Sequence, residues 1–383
     1  MASLVFIGHE ASLTGAPYTQ LYLLQWLRTH TPHAVELILL RGGPLLPEFE
    51  KVATVHVVHK YGAYPSLGQR ILRKAEALTN LRLRSIFDKI AKTKPSLIFA
   101  NTAPALEFAV KAKHLLKVPL LLNVHELEST FFYTDAKKFA ANSPEIDSFI
   151  PGSQAVKEFY KTFCNIPENR THIVYDFTGN TSVGISTAAS IRQQYNIPAN
   201  AKIIGGIGAF NWRKAPDLFL QVAQHCKRQG DGDAFFIWVG GDLTTQVFKE
   251  FAYDIRLMGL SEQVRFVGTK TDLRGFYEAF DVFLLTSRED PFPLVCMEAA
   301  LSGSPVICFA EAGGMPEFVR QDAGFVVPYA DTQAMSEKTS YLLAHADVRQ
   351  AMGRVAQQRA ESEHTIDVIG PQMYALMQPF LSR

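Results

Sequence analysis

The sequence predicts an α/β protein made of two doubly wound parallel sheets. Three observations carry that prediction. First, the two halves open alike: Leu4-Val-Phe-Ile-Gly8 and Ile203-Ile-Gly-Gly-Ile-Gly208 are apolar strands ending in glycine, each leading through a loop into a helix. Second, strand and helix patterns keep alternating along both halves, as parallel sheets covered on both faces require. Third, 383 residues exceed the usual size of a single core, so two domains are expected.

In the first half, apolar runs place strands at 4–8, 35–40, 53–58, 96–100, 119–124, 148–150 and 172–175. Helical patterns lie near 15–28, 66–93, 103–114 and 153–163. The polar stretch Asp176 to Thr187, rich in Gly, Ser and Thr, reads as a linker, and 188–198 as a short helix ending at Pro198. The second half has strands near 202–207, 234–239, 264–267, 281–285, 305–309 and 325–328. Its helices lie near 214–229, 246–258, 272–278, 294–302, 314–320, 331–344 and 347–360. A last helix, from Asp367 to Leu381, has no strand after it and could pack on either domain.

With 47% hydrophobic and 20% charged residues, the chain is neither disordered nor fibrous. A net charge of +1 argues against a dedicated nucleic-acid binder. One segment departs from that balance: Lys60 to Lys94 holds nine Lys or Arg against Glu76 and Asp88. It reads as a solvated basic helix face or as a surface that meets anionic lipid or an anionic acceptor. The four cysteines (164, 226, 296 and 308) lack metal-site spacing and demand no disulfide, which points to a reducing cytoplasm. The opening MASLVFIGHE reads as a strand rather than a signal peptide, and no apolar run reaches the roughly 20 residues needed to span a bilayer.

Polar and glycine-rich residues cluster after the strands, where doubly wound sheets bind ligands: Gly8-His9-Glu10, His125-Glu126, Gly240-Gly241-Asp242, Gly268-Thr269-Lys270 and Ser287 to Pro293. Pro293 suits a helix start, and the free amides of a helix from about Leu294 would face the preceding loop as an anion site. Asp290 and Glu298 stand eight positions apart around that start. A carboxylate beside a diphosphate is repelled unless it faces hydroxyls, so Glu298 suits a ribose diol and Asp290 the hydroxyls of a sugar. The other reading is a salt-bridged pair or an acid complementing the helix dipole. Arg213 and Lys214 are adjacent cations that could clamp phosphate or simply begin a surface helix; Trp212 beside them reads as a packing residue. His125 could donate to a sugar hydroxyl or be a hydrogen-bonded histidine at a domain edge, and His9-Glu10 has the same two readings. Gly15-Ala16 could let a phosphate approach backbone amides or could serve only a turn. There is no GxGxxG fingerprint, no GxxxxGK[ST] loop, no GxSxG elbow, and His125-Glu126-Leu-Glu-Ser129 lacks the second histidine of a zinc motif.

Ser287, Asp290, Phe292, Leu294, Glu298, Ala299, Gly303, Pro305 and Val306 together follow a pattern like S-x-x-E-x-F-x-L-x-x-x-E-A-x-x-x-G-x-P-V. On these residues the chain resembles a retaining glycosyltransferase of the GT-B fold, family 4, over most of its length and most strongly from Ile203 to Phe325. The resemblance implies two Rossmann-like domains facing across a cleft. These would be 1–180 on the acceptor side, 181–366 for the nucleotide sugar, and a helix at 367–383 that could cross back to the first domain. It implies that Glu298 binds the ribose, that Asp290 lies near the donor sugar, and that amides of Phe292, Leu294 and Val295 hold sugar and diphosphate, with Pro293 stiffening the loop. Lys214 fits the family's cation six residues after Gly208. Ala209 stands where the family often has arginine, and Arg213 is its replacement. Gly268 and Thr269 match the loop lining the base, His125 the cleft histidine, and Gly15-Ala16 the glycine loop near the diphosphate. Asp290 departs from the more usual Glu, and Glu289 is the alternative carboxylate. Tyr175 to Asn180 departs from the common Pro-Asn-Gly hinge.

The implied reaction moves a hexose from a nucleoside diphosphate sugar, with UDP favoured and UDP-glucose included, to a glycan or lipid-linked acceptor in polysaccharide biosynthesis. His125, Arg213, Lys214 and Asp290 are the expected catalytic residues. No cofactor beyond the donor and no metal are expected, since no Asp-x-Asp pair lies at a strand end. The expected location is the cytoplasm, with peripheral contact at an anionic inner membrane surface left open. Alternatives are a non-catalytic nucleotide-sugar or glycan binder and a GT-B epimerase.

Overall fold

A computed structural model of the chain describes residues 3–59, 81–179 and 184–381. The described residues divide into two compact units, one within Met1–Thr178 and Ile366–Arg383, the other within Gly179–Thr365.

The first unit has six parallel strands: β1 Ser3–Gly8, β2 Ala34–Arg41, β3 Thr54–His59, β4 Pro95–Asn101, β5 Leu120–Val124 and β6 Ser148–Pro151. Their order is β3-β2-β1-β4-β5-β6. Alternation along β1 feeds two cores. Leu4 and Phe6 pack with Leu24 and Leu27 of the helix Gly15–His30 and with Met373 and Met377 of the last helix. Val5 and Ile7 pack on the opposite face with Ile98, Leu106 and Ala109. The last helix, Ile366–Leu381, thus belongs to the first unit, and His33 Nε2 pairs with the Tyr374 hydroxyl at 3.0 Å.

The second unit repeats the plan with β7 Ile203–Ile207, β8 Phe235–Val239, β9 Val264–Phe266, β10 Val282–Leu285, β11 Val306–Phe309 and β12 Gly324–Val327. All pairs are parallel and the order is β12-β11-β10-β7-β8-β9. Counted from its first strand this is again the 3-2-1-4-5-6 order. Each sheet therefore has a switch point, between β1 and β4 and between β7 and β10, where the rule for such sheets places ligands.

Three expectations need correction. Residues 172–175 form no strand; Thr171 makes one isolated bridge to Phe149. The polar stretch from Asp176 begins as core, since Asp176, Phe177 and Thr178 are buried. Polar composition concealed this because Asp176 is held by a partner side chain, described below. Short helices at Leu46–Glu50 and Ala136–Asn142 were not foreseen. Of the basic helix expected at 66–93, Leu81–Lys92 is helical, and what precedes it lies outside the described residues.

Candidate functional site

The switch point of the second unit gathers charge. The chain leaves β7 at Gly208, turns through Asn211 to Lys214, and enters the helix Pro216–Gln229. It leaves β10 into Thr286 to Asp290. The two loops are tied together: the Arg288 amide donates to the Arg213 carbonyl at 2.8 Å, and the Thr286 hydroxyl donates to the Ala215 carbonyl at 3.1 Å. Arg288 also grips Asp217 through both terminal nitrogens, at 3.1 and 2.6 Å.

Within this frame Lys214 Nζ lies 2.5 Å from Asp290 Oδ2, and Arg213 Nη1 3.2 Å from Oδ1. The Ser287 hydroxyl donates to Oδ2 at 3.0 Å. Asp290 is buried. Burial is the strongest influence and pushes its carboxyl up, but the charges of Lys214 and Arg213, with hydrogen bonds from Lys214 and Ser287, outweigh it and hold the group below its ordinary value. Two cations meet one carboxylate, which leaves an excess of positive charge. Glu289 instead contributes its carbonyl, which accepts from Arg213 at 3.2 Å.

Gly208 makes the close approach of Lys214 possible, because a Cβ there would come within 2.9 Å of the lysine stem. Gly313 does the same for Asp290. Its φ is +134°, a Cβ would meet the Asp290 carbonyl oxygen at 1.8 Å, and the Asp290 amide donates to the Ala312 carbonyl at 2.6 Å.

The helix Leu294–Leu301 starts just beyond, with extended Pro293 as its N-cap and no capping side chain. Its first amides have no intrahelical partner by construction. Phe292 is buried, with its ring 5.0 Å from that of His364, so any ligand contact there falls to the backbone. Glu298 is half-buried on the same helix, and the buried Tyr277 hydroxyl donates to its Oε2. Farther along the sheet edge, the Gly240 amide donates to the Gly268 carbonyl at 2.9 Å, and Thr269 donates to the Gly241 carbonyl through its amide and its hydroxyl, both at 3.0 Å.

His125, Gly15 and Ala16 lie in the first unit. His125 follows β5 with both ring nitrogens engaged: Nδ1 with Asp176 Oδ1 at 2.6 Å, Nε2 with Asn101 Oδ1 at 2.8 Å and Asn123 Nδ2 at 2.9 Å. Burial is the strongest influence on the ring and disfavours its charge, yet the charge and hydrogen bond of Asp176, with Glu126, leave its pKa raised. Gly15 opens its helix after Thr14, which gives no side-chain cap, and the Ala16 carbonyl accepts from Asn101 Nδ2 and Thr19 Oγ1, each at 2.9 Å.

Trp212, expected to pack, is 55% exposed, with the Arg288 guanidinium 5.7 Å from its ring. The Arg288 Nη1 also donates to the Trp212 carbonyl at 3.0 Å, so the same guanidinium that grips Asp217 meets this loop. Tyr277, Gly313 and the Asn101–Asn123–Asp176 set were not singled out as site residues in the sequence. The only signal for any of them was Gly313-Gly314 after an apolar strand. Among the described residues no three His, Cys, Asp or Glu side chains gather as a metal site would, and no helix is long and apolar enough to cross a membrane.

Two family models match the chain, one in each half: Glycosyltransferase Family 4 over residues 14–177 and Glycosyl transferases group 1 over residues 188–359. Among curated proteins, it is 27% identical over 270 residues to a D-inositol 3-phosphate glycosyltransferase of Corynebacterium diphtheriae, covering 65% of this chain and 62% of that protein. A protein of the same name from Corynebacterium urealyticum is 30% identical over 44% of this chain and 41% of its own length. The chain thus spans less than two thirds of the length of these relatives. Among solved structures, Anabaena HepE in complex with UDP aligns with a TM-score of 0.80 at 22% identity, over 99% of this chain and 100% of that one. Sucrose-phosphate synthase from Thermosynechococcus elongatus aligns at 0.77 and 19% identity, over the full length of both. At such identities the likeness concerns the fold.

Proposed function

We infer that the chain, which belongs to the GT-B-fold glycosyltransferases related to family 4, moves a hexose from a UDP-sugar to an acceptor hydroxyl with the anomeric configuration retained. The observation that carries this reading is the pairing of Lys214 and Arg213 on Asp290 at the switch point of the second unit, one loop away from the start of the helix Leu294–Leu301. In the reaction the bond from the anomeric carbon to the diphosphate oxygen breaks, and a new bond to the acceptor oxygen forms on the same face. The diphosphate oxygen gains charge as it leaves and takes the proton that the acceptor hydroxyl gives up. Lys214, Arg213 and the amides of Leu294 and Val295 meet that charge, so they stabilise the transition state more than the bound donor. Asp290 serves this arrangement by holding both cations in place. That role adds to, and in the ligand-free chain precedes, any contact with the donor sugar. Glu298 takes the ribose diol, and Gly268 and Thr269 border the base. UDP and glucose are preferred because HepE, alike in fold, was solved with UDP and with UDP-glucose. No metal enters this mechanism.

The test is transfer and hydrolysis across a panel of UDP-, GDP- and ADP-sugars, with the product anomer read by NMR. Lys214→Ala is expected to lower kcat by about 100-fold or more, as loss of a group that meets developing charge does. Glu298→Ala is expected to raise the donor KM. Full activity in both variants would refute the site. Donor binding without turnover, whatever acceptor is offered, would favour the binding-protein alternative.

The acceptor in this reading is a glycan, free or lipid-linked. Exposed Arg84, Lys89 and Lys92 on the helix Leu81–Lys92 support peripheral contact with anionic lipid. Co-sedimentation with phosphatidylglycerol vesicles should then fall steeply with salt, and binding indifferent to salt or lipid charge would remove this part.

A further inference from the structure

The first unit has a switch point of its own, between β1 and β4, and side chains with acid–base chemistry converge there. The segment after β1 carries His9, Glu10, Ser12 and Thr14. Its backbone is pinned to the end of β2 and the loop beyond: the Arg41 amide donates to the His9 carbonyl at 3.0 Å and the Leu45 amide to the Ala11 carbonyl at 2.9 Å. The segment after β4 begins with Thr102, which is fully buried at φ +98° and ψ +146°. That region costs a β-branched residue a few kcal/mol, about 1–3, and such strain persists only where surrounding contacts impose it. Here the Thr102 amide donates to the Asn123 carbonyl at 2.8 Å, its hydroxyl pairs with His9 Nδ1 at 3.1 Å, and the next amide, of Ala103, donates to Glu126 Oε2 at 3.0 Å. The strained residue therefore fixes the plane of the His9 ring.

The other ring nitrogen, His9 Nε2, stands 3.6 Å from Glu10 Oε1, which also accepts from the Ser12 hydroxyl at 2.7 Å. Ser12 is in turn 2.8 Å from the Thr14 hydroxyl. Glu10 is half-buried. His9, close by as an ion-pair partner, is the largest influence on it; burial opposes, and with the Ser12 hydrogen bond added the pKa falls to about 2, Arg41 contributing least. Glu10 is thus ionised at any working pH. One oxygen is anchored, and Oε2 has no hydrogen bond among the described residues. The Glu10 side chain keeps 29% of its surface exposed, as a carboxylate that meets water or a ligand does. This one is held rigidly at the ligand end of its sheet with an acceptor oxygen to spare.

We propose that Glu10, oriented by His9 and Ser12, is the acceptor-recognition carboxylate of the first unit, and that it selects a neutral polyhydroxylated acceptor over one bearing a phosphate or carboxylate. The proposal deepens the glycosyltransferase reading and rests on it. A fixed carboxylate accepts hydrogen bonds from a pair of sugar hydroxyls and repels an anionic substituent placed beside them. Thr102 and His9 are positioning residues: they act on substrate only through Glu10. The two curated relatives described above are named for an inositol phosphate acceptor, so this feature would separate the chain from them in acceptor charge.

The experiment measures binding and transfer for four probes: glucose, glucose 6-phosphate, myo-inositol and inositol 3-phosphate. Binding to the full chain is followed by saturation-transfer NMR in the presence of UDP, and transfer from UDP-glucose is followed in parallel. The neutral probes should outbind their phosphates by about tenfold or more. Glu10→Gln should narrow that gap by about the same factor, and Ser12→Ala should weaken the neutral probes without changing the affinity for UDP. Equal gaps in wild type and Glu10→Gln, or wild-type preference for either phosphate, would overturn the proposal. If no nucleotide sugar is turned over but the charge preference and its loss in Glu10→Gln persist, the transferase reading falls and the site stands.

Discussion

At the scale of single residues, the site depends on carboxylates that are held rather than merely present. Glu298 illustrates this. The sequence placed it one turn into a helix, but only the structure shows Tyr277, buried in the helix Arg274–Ala279, donating to Oε2. A hydrogen bond to a charged group contributes roughly 1.5–3 kcal/mol, enough to fix which lone pairs face a ribose. Tyr277→Phe should therefore raise the Kd for UDP about tenfold, while kcat at saturating donor changes less than about threefold. Titration calorimetry with parallel kinetics checks this; an unchanged Kd would mean that Tyr277 only fills space. Asp290 was legible as an acid in the right place and not as the anchor of two cations. These partners lie 76 and 77 positions upstream, and no local pattern reveals a contact of that range. Trp212 fails for the opposite reason: indoles usually pack, and nothing in the sequence shows that this one is left exposed beside the Arg288 guanidinium.

At the scale of elements, strand ends and loops matter more than the strands. The apolar runs made all six strands of each unit legible, because a buried parallel strand is nearly continuous in hydrophobic residues. Residues 172–175 misled because a short apolar stretch reads alike whether it pairs or merely packs, and Val174 is buried without a ladder. The ends of β4 and β5 and the segment after β6 bring Asn101, Asn123 and Asp176 around His125 in a network that no motif announces. It has a consequence for stability. The folded pKa of His125 lies above its ordinary 6.5, so the protonated ring is the form that the fold favours. The stabilisation is complete below about 6.5, the unfolded value, and is lost as pH rises through the higher folded pKa. The urea midpoint of the first unit should accordingly decline on the alkaline side of pH 6.5, and Asp176→Asn should remove that decline. A midpoint in Asp176→Asn that keeps the wild-type slope would show that the pair is not its source.

At the scale of the whole molecule, the chain builds one topology twice and finishes in the unit where it began, since Ile366–Leu381 packs with Leu24, Leu27 and Phe6. The sequence left that final destination open, because an apolar helical stripe does not state which surface it covers. The repeated 3-2-1-4-5-6 order gives each unit a ligand edge, and each edge uses its charge differently. The second unit sets two cations against one carboxylate, while the first presents the carboxylate of Glu10. The division suits an enzyme whose donor is an anion and whose acceptor is a hydroxyl compound. The most direct test is a crystal structure of the chain with UDP. The account predicts the diphosphate in hydrogen-bond range of Lys214 and the amides of Leu294 and Val295, with the ribose hydroxyls on Glu298. A nucleotide bound elsewhere, leaving the Lys214–Asp290 pair and the start of that helix untouched, would contradict it.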